Sequence, residues 1–319
     1  MKKDKKNLRI AFMGTPEFSV HILEALLQNN YPVVAAFTQE DKIAGRKKIL
    51  KKSPVKIFCE QNGIPTFTPK KLDDESVRIL RDKQVDLIIL VAYGKILPKN
   101  ILETPPLGAI NIHPSLLPKF RGPSPVQNAL LHEEKITGST IMLMDAGVDT
   151  GDILSQKEIS IDDQETYVEL KEKLAFFSAD LLVGTLDDFL EGKITPQKQD
   201  SSKASYCKLI KREDGQISWS EDSKTIFNKF RAFFGWPGIY ALWRNNGEIK
   251  RIKLNKISCA EGEFADRKIG EAFLYNDSVC VKCGVGAIAI HEMQLEGKMN
   301  MSSANFINGY KNFIGAILG

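Results

Sequence analysis

"LRIAFMG" (residues 8–14), followed at once by "TPEFSVHILEALLQ" (residues 15–28), decides how this chain folds. The first seven residues are almost all apolar and end on glycine, the pattern of a short strand covered on both faces. Thr15 is suited to cap a helix, Pro16 to its first position, and Glu17 to the positive end of its dipole. Phe18, Ile22, Leu23, Leu26 and Leu27 then recur at helical spacing. A buried strand turning directly into such a helix is half of a β-α-β unit. Working outward, "YPVVAAFTQ" (31–39), "VDLIILVAYG" (85–94) and "GAINIH" (108–113) repeat the strand pattern, and "TGSTIMLMD" (137–145) adds a further strand beside them. Helix patterns lie between. The expected fold is α/β, a Rossmann-like, doubly wound, mainly parallel sheet occupying residues 1–188 as one domain.

From residue 185 the chain turns polar ("TLDDFLEGKITPQKQDSSKASYCKLIKREDG"), and a linker is expected over residues 189–206. Beyond it, "GIYALW", "IKLNKISC", "SVCVKC" and "AIAIHEMQL" alternate apolar and polar residues between turn signals. They predict a small OB-like β-barrel over residues 207–319, with helical pieces near 224–234 and 302–309. Residues 204–319 carry 16 Lys and Arg against 12 Asp and Glu, so the whole chain's net charge of +4 resides there.

Several function classes drop out. The basic opening has an apolar run too short for a signal peptide core, and no run approaches the roughly 18 residues of a membrane span. A cytoplasmic protein without a membrane partner is expected, as a monomer. The five cysteines are odd in number and scattered; Cys280 and Cys283 form a lone C-x-x-C without a second pair or nearby histidine, so no metal is expected. There is no G-x-G-x-x-G after the first strand and no G-x-x-x-x-G-K-[ST], which leaves a nucleotide-phosphate site unsupported.

In such sheets ligands bind at the carboxyl ends of the strands. Gly14, the pair Tyr93 and Gly94, residues 111–114 and residues 145–152 all fall there. In "GAINIHPSLLPKFRGPSPVQ" (108–127), Asn111 and His113 are two residues apart on a strand, so they project to one side. Pro114 then ends the ladder, and Leu116 and Leu117 can wall a flat, polar-edged ligand. "MDAGVDTGD" gathers Asp145, Asp149 and Asp152 in a loop that Gly147 and Gly151 allow to be tight. An amide can donate to a developing oxyanion, and a carboxylate can hold an imidazole's tautomer. Together they fit group transfer to an amine without a covalent enzyme intermediate. The third feature is a run of seven cations from residue 42 to 59 (Lys42, Arg46, Lys47, Lys48, Lys51, Lys52, Lys56) with no acid among them. A loop so charged at the ligand edge of the sheet suits a polyanion.

"NIHPSLLPKFRG" combined with D-x-G-x-D-T-G-D resembles the formyltransferases that use 10-formyltetrahydrofolate. "FMGTPEFSV", "FTQEDKIAGRKKILKKSPVK", "VAYGKILP", "YCKLIKREDGQISW", "RAFFGWPG" and "GKMNMSSANFINGY" are similar to the bacterial members of that family whose acceptor is methionyl-tRNA. The resemblance implies transfer of the formyl group to the α-amine of methionine on initiator methionyl-tRNA, in translation initiation. It implies Asn111, His113 and Asp149 as catalytic residues. It implies folate contacts at Ser115, Leu116, Leu117 and Pro118 and, beside them, at Tyr93, Gly94, Ile96 and Leu97. It implies tRNA contacts at Lys42, Arg46, Lys47, Lys48, Lys51, Lys52 and Lys208. Pro114 replaces a glycine found in some members, which stiffens the loop without touching a catalytic group.

Overall fold

A computed structural model of the chain describes residues 5–44 and 49–319. In chain order its elements are β1 (Ile10–Gly14), α1 (Glu17–Gln28), β2 (Val33–Phe37), β3 (Lys42–Ala44), β4 (Ile49–Lys51), α2 (Pro54–Gln61), β5 (Thr66–Phe67), α3 (Asp74–Asp82), β6 (Leu87–Val91), α4 (Lys99–Leu102), β7 (Ala109–His113), α5 (Pro125–Leu131), β8 (Ile136–Leu143), β9 (Ile153–Ser160), α6 (Tyr167–Leu190), α7 (Ser223–Phe233), β10 (Ile239–Asn245), β11 (Glu248–Ala260), β12 (Ala272–Tyr275), β13 (Ser278–Lys282), β14 (Ala287–Leu295), β15 (Met301–Ser302) and α8 (Ser303–Gly309). They form two compact units. One contains residues up to 125, 136–161 and 170–207; the other contains 126–135, 162–169 and 208–319.

The first unit is built on a seven-stranded sheet of order β5-β2-β1-β6-β7-β8-β9. Pairing is parallel from β5 to β7 and antiparallel through β8 and β9. Every residue of β1, β6 and β7 is buried, as apolar strands covered on both faces should be. Between the sheet and α3 and α4 lies a core containing Met13, Phe37, Leu80, Ile88, Tyr93, Leu97 and Ile101. The edges are modest: β5 has two residues, and β9 exposes Gln156, Lys157 and Glu158 in succession.

The β1–α1 junction differs from expectation in one respect. Glu17, not Pro16, is the first helical residue, and no side chain caps the helix. Thr15 instead donates its hydroxyl to the Tyr93 carbonyl (3.0 Å), and Ser19 donates to Val91 O (2.7 Å). The turn is thereby tied to the exit of β6. A Cβ on Gly14 would lie 2.7 Å from both Phe12 and Ser19, so only glycine fits.

Where a linker was expected, α6 continues to Leu190 and the following chain is an extended strap on the first unit. Ile153 and Gln197 exchange backbone bonds (2.8 and 2.9 Å), Arg121 N donates to Ser205 O (2.8 Å), and Cys207 N donates to Arg121 O (2.8 Å).

In the second unit, an antiparallel sheet of order β10-β11-β14-β13-β12 curls on itself, with β15 added on β14. Residues 315–319 pair with both of its edges. Leu242 and Gly319 exchange bonds of 2.7 and 2.8 Å on the β10 side, and Ala272 N donates to Ala316 O (2.9 Å) on the β12 side. The curled sheet is thus sealed into a barrel-like form without a free edge between β10 and β12. Trp243 is fully buried and meets Phe306, Tyr310 and Phe313 edge-on, with centroids 5.3–5.9 Å apart. The pieces 162–169 are held by the buried Arg231, whose guanidinium donates to Glu165 O (2.9 Å) and Asp162 O (2.6 Å).

Candidate active site

β7 carries Asn111 and His113 on one face, opposite Met142 and Thr140 of β8 respectively. Both side chains are buried. Asp149 reaches them from the loop between β8 and β9. Its Oδ1 accepts from Asn111 Nδ2 at 3.3 Å, and its Oδ2 lies 3.6 Å from His113 Nδ1. The same Oδ2 accepts from the Gly122 amide at 2.8 Å. The expected three residues therefore converge on one carboxylate.

The imidazole is anchored from its other side. His113 Nε2 is 2.9 Å from the Phe120 carbonyl, which can only accept, so Nε2 carries the proton. Nδ1 is left toward Asp149. At 3.6 Å that contact is too long for a hydrogen bond and becomes an ion pair when the ring takes a second proton. Phe120 aims its carbonyl from a left-handed backbone conformation (φ +60°), held there by a bond from its amide to Ser205 Oγ (2.9 Å). The Cys207 thiol donates to the same carbonyl and to Arg121 O. Burial pushes that thiol's pKa up, which keeps it a neutral donor.

The aspartate loop divides its labour. Asp145 accepts from Gly147 N (3.0 Å) and the Thr150 hydroxyl (2.7 Å), so it shapes the loop. A Cβ on Gly151 would stand 1.7 Å from the Leu143 carbonyl, which demands glycine there.

The loop after β7 is fixed by the chain itself. The Thr140 hydroxyl donates to Ser115 O (2.7 Å) and accepts from Leu117 N (3.2 Å) and Gln156 Nε2 (2.7 Å). Ser115 Oγ donates to Lys119 O (2.7 Å). Ser115 and Leu117 are consequently buried, while Leu116 and Pro118 keep part of their surface. Past β6, Ala92 adopts φ +46° and the side chains alternate: Gly94 and Ile96 are exposed, Tyr93 and Leu97 point into the core. The Tyr93 phenol and the Leu97 side chain are thus core groups, and the Tyr93 carbonyl accepts from Thr15 and Gln39.

The basic run is more structured and less bare than its sequence implied. β3 and β4 form an antiparallel pair in which Lys42 stands opposite Lys51. Lys56 is paired with Asp41 (2.8 Å) and Lys52 with Glu60 (2.7 Å), acids lying just outside the run. Arg46, Lys47 and Lys48 lie outside the described residues. Lys208 is exposed. Among the described residues no group of three or more His, Cys, Asp or Glu is placed to hold a metal ion, and no helix is long and apolar enough to cross a membrane.

Sequence reasoning missed the support behind these side chains: the Gly122 amide on Asp149, and Arg121, Gln199, Ser205 and Cys207 around it. Only the arginine and glycine of "FRGP" carried any local signal.

Comparison with known proteins places the chain by family and by fold. Residues 8–186 match the formyl transferase family and residues 209–311 its C-terminal domain. A methionyl-tRNA formyltransferase of Citrifermentans bemidjiense is 39% identical over 313 residues, covering 98% of this chain and 96% of that protein. One from Thermodesulfovibrio yellowstonii is 41% identical over 303 residues, covering 95% and 96%. Among solved structures, an N-formyltransferase of Helicobacter canadensis, in complex with folinic acid and dTDP-3-aminofucose, superposes with a TM-score of 0.66 at 19% identity over 89% of this chain and 98% of that one. HypX of Aquifex aeolicus in complex with tetrahydrofolic acid gives a TM-score of 0.65 at 18% identity, covering 96% of this chain and 48% of that one. These two likenesses carry the fold.

Proposed function

This chain belongs to the formyl transferase family, and on that premise we propose that it transfers a formyl group from 10-formyltetrahydrofolate to the amino group of methionine on initiator methionyl-tRNA. The observation that carries the chemistry is a single carboxylate, Asp149, shared between an amide and an imidazole at the carboxyl end of β7. The folate supplies the formyl carbon. Ile96, Leu116 and Pro118 offer it apolar surface at the ends of the neighbouring strands β6 and β7.

The roles follow from the donors available. Asn111 Nδ2 donates to the oxyanion that develops on the formyl oxygen as the amine attacks. Because His113 Nε2 is committed to Phe120, only Nδ1–H of the imidazolium is free to assist. Asp149 offsets the imidazolium charge and receives the proton released by the amine. As the oxyanion collapses, the bond between the formyl carbon and the folate nitrogen breaks and that nitrogen takes up this proton, so tetrahydrofolate leaves neutral. Charge-directed donors of this kind are each worth about 100- to 1000-fold in rate.

Acceptor binding draws on Lys42 and Lys51. Like charges opposed across two strands repel, and a phosphate set beside them relieves that repulsion. Lys208 and the net +4 of residues 204–319 add to the attraction for tRNA. The protein acts as a monomer in the cytoplasm.

Transfer of labelled formyl from 10-formyltetrahydrofolate to methionyl-initiator tRNA tests this directly. Turnover on the tRNA, abolished by His113→Ala, upholds it. Turnover on a small amine with none on the tRNA would leave the donor site standing and overturn the acceptor.

A further inference from the structure

Arg121 is only 1% exposed, yet among the described residues it meets no carboxylate. Its Nε and Nη2 both donate to Gln199 Oε1, at 3.1 and 2.7 Å, and its Nη1 to the Tyr206 hydroxyl at 3.3 Å. Burying a guanidinium on neutral acceptors alone is costly, so its position asks for a reason. Gln199 supplies one. Its Nε2 donates to the carbonyls of Asp149 (3.0 Å) and Gly151 (2.8 Å). Arginine only donates and carbonyls only accept, so one orientation of the glutamine amide satisfies all four bonds. A glutamate has no proton for the carbonyls and a lysine no lone pair for the arginine.

The residue at the far end of this relay is the one that needs holding. Asp149 occupies a left-handed conformation (φ +52°), unfavourable for a residue with a side chain, so its carboxylate is only as well placed as its backbone is restrained. Two restraints converge on it. Gly122, next to Arg121 in the chain, binds the carboxylate; Gln199, bound by Arg121, binds the carbonyl. The turn bearing Arg121 and Gly122 is bonded at Arg121 N and O to Ser205 and Cys207 of the same strap that carries Gln199.

We infer that Arg121 and Gln199 are positioning residues for the transfer, a relay from the strap that fixes the Asp149 carboxylate between Asn111 and His113. This rests on the roles given to those three residues above. Gln199→Glu is the informative variant: it keeps an acceptor for the buried guanidinium, which spares the fold, but turns an oxygen toward two carbonyls. With both substrates saturating, kcat falls about 10- to 100-fold, in line with a displacement of order 1 Å, while both KM values stay within about threefold. Arg121→Met falls in the same range, and the double variant is no slower than the poorer single, as expected of one unit. Independently of activity, exchange of the Gly122 amide accelerates at least about tenfold in Gln199→Glu, because its acceptor moves away. A Gln199→Glu protein with kcat within twofold of the wild type, or with its loss confined to KM, would overturn the relay, as would unchanged Gly122 protection. A wild-type protein inactive on methionyl-tRNA overturns the proposed function instead, and Gly122 exchange still decides the relay.

Discussion

Replacing Asp149 by asparagine is the most demanding test of the active site, because it removes the charge and the acceptor for Asn111 while keeping the shape. Asparagine matches aspartate in shape and keeps an oxygen for the Gly122 amide, now 2.8 Å from Oδ2. What disappears is the anion 3.6 Å from His113 Nδ1, in a place where the two side chains are 5% and 15% exposed. With an effective dielectric of about 20, Coulomb's law at that separation gives about 4–5 kcal/mol between imidazolium and carboxylate. Part of this is returned by not burying the carboxylate, and a net loss of about 3–4 kcal/mol corresponds to about 100- to 1000-fold in kcat. The remaining amide can also turn its NH₂ toward Asn111, setting donor against donor. The assay is single-turnover formyl transfer at saturating folate and methionyl-tRNA, with binding of each substrate measured separately. Binding should hold within about threefold while the chemical step slows. A rate within tenfold of the wild type would refute the role given to the carboxylate's charge. Equal reductions in binding and rate would show that Asp149 shapes the site without acting in it.

Gly122→Ala should slow transfer about 100-fold and destabilise the protein by about 1–3 kcal/mol, since φ is +113° and the new Cβ would stand 2.5 Å from the Cys207 carbonyl; kcat and thermal unfolding check this together. Exchanging Lys42 and Lys51 for alanine should raise KM for the tRNA several-fold and flatten its salt dependence by about one log–log unit for each phosphate that is no longer neutralised, with KM for the folate unchanged; a tRNA KM insensitive to both changes would remove the β3–β4 pair from the interface. Burial pushes the Cys280 and Cys283 thiols up to about 11 and about 12 from an ordinary 9.0. Unfolded chains lose those protons first, so stability is complete below about pH 9 and declines as pH rises toward the folded values; denaturant titrations at pH 8 and 10.5 that agree would contradict this.

What could be read from sequence was what depends on neighbours in the chain. The alternation of "GAINIH" put Asn111 and His113 on one face because a strand has no other option, and "LRIAFMG" before a helix pattern dictated the parallel sheet. The same locality explains the misses. Thr15 was an eligible cap, yet Tyr93 O, 78 residues away, offered its hydroxyl a better partner. Gly94 and Ile96 were separable from Tyr93 and Leu97 only once the turn at Ala92 set the phase. Lys52 and Lys56 looked unpaired because their acids lie outside the run that drew attention. Arg121 and Gln199 are likewise 78 residues apart, and a lone glutamine in a polar stretch announces nothing. The strands β5, β12 and β15 are too short for a period to register.

The edges of the first sheet bear on how this protein behaves when crowded. An open strand edge invites another chain to continue the ladder, the first step of aggregation. Here β5 offers two residues, too few to template a partner, and β9 offers Gln156, Lys157 and Glu158, whose side chains would have to shed water to admit one. The apolar start of β9 is covered where Gln197 pairs with Ile153. The strap that binds the Asp149 loop thus also caps the sheet, so cutting or displacing it should cost solubility as well as rate.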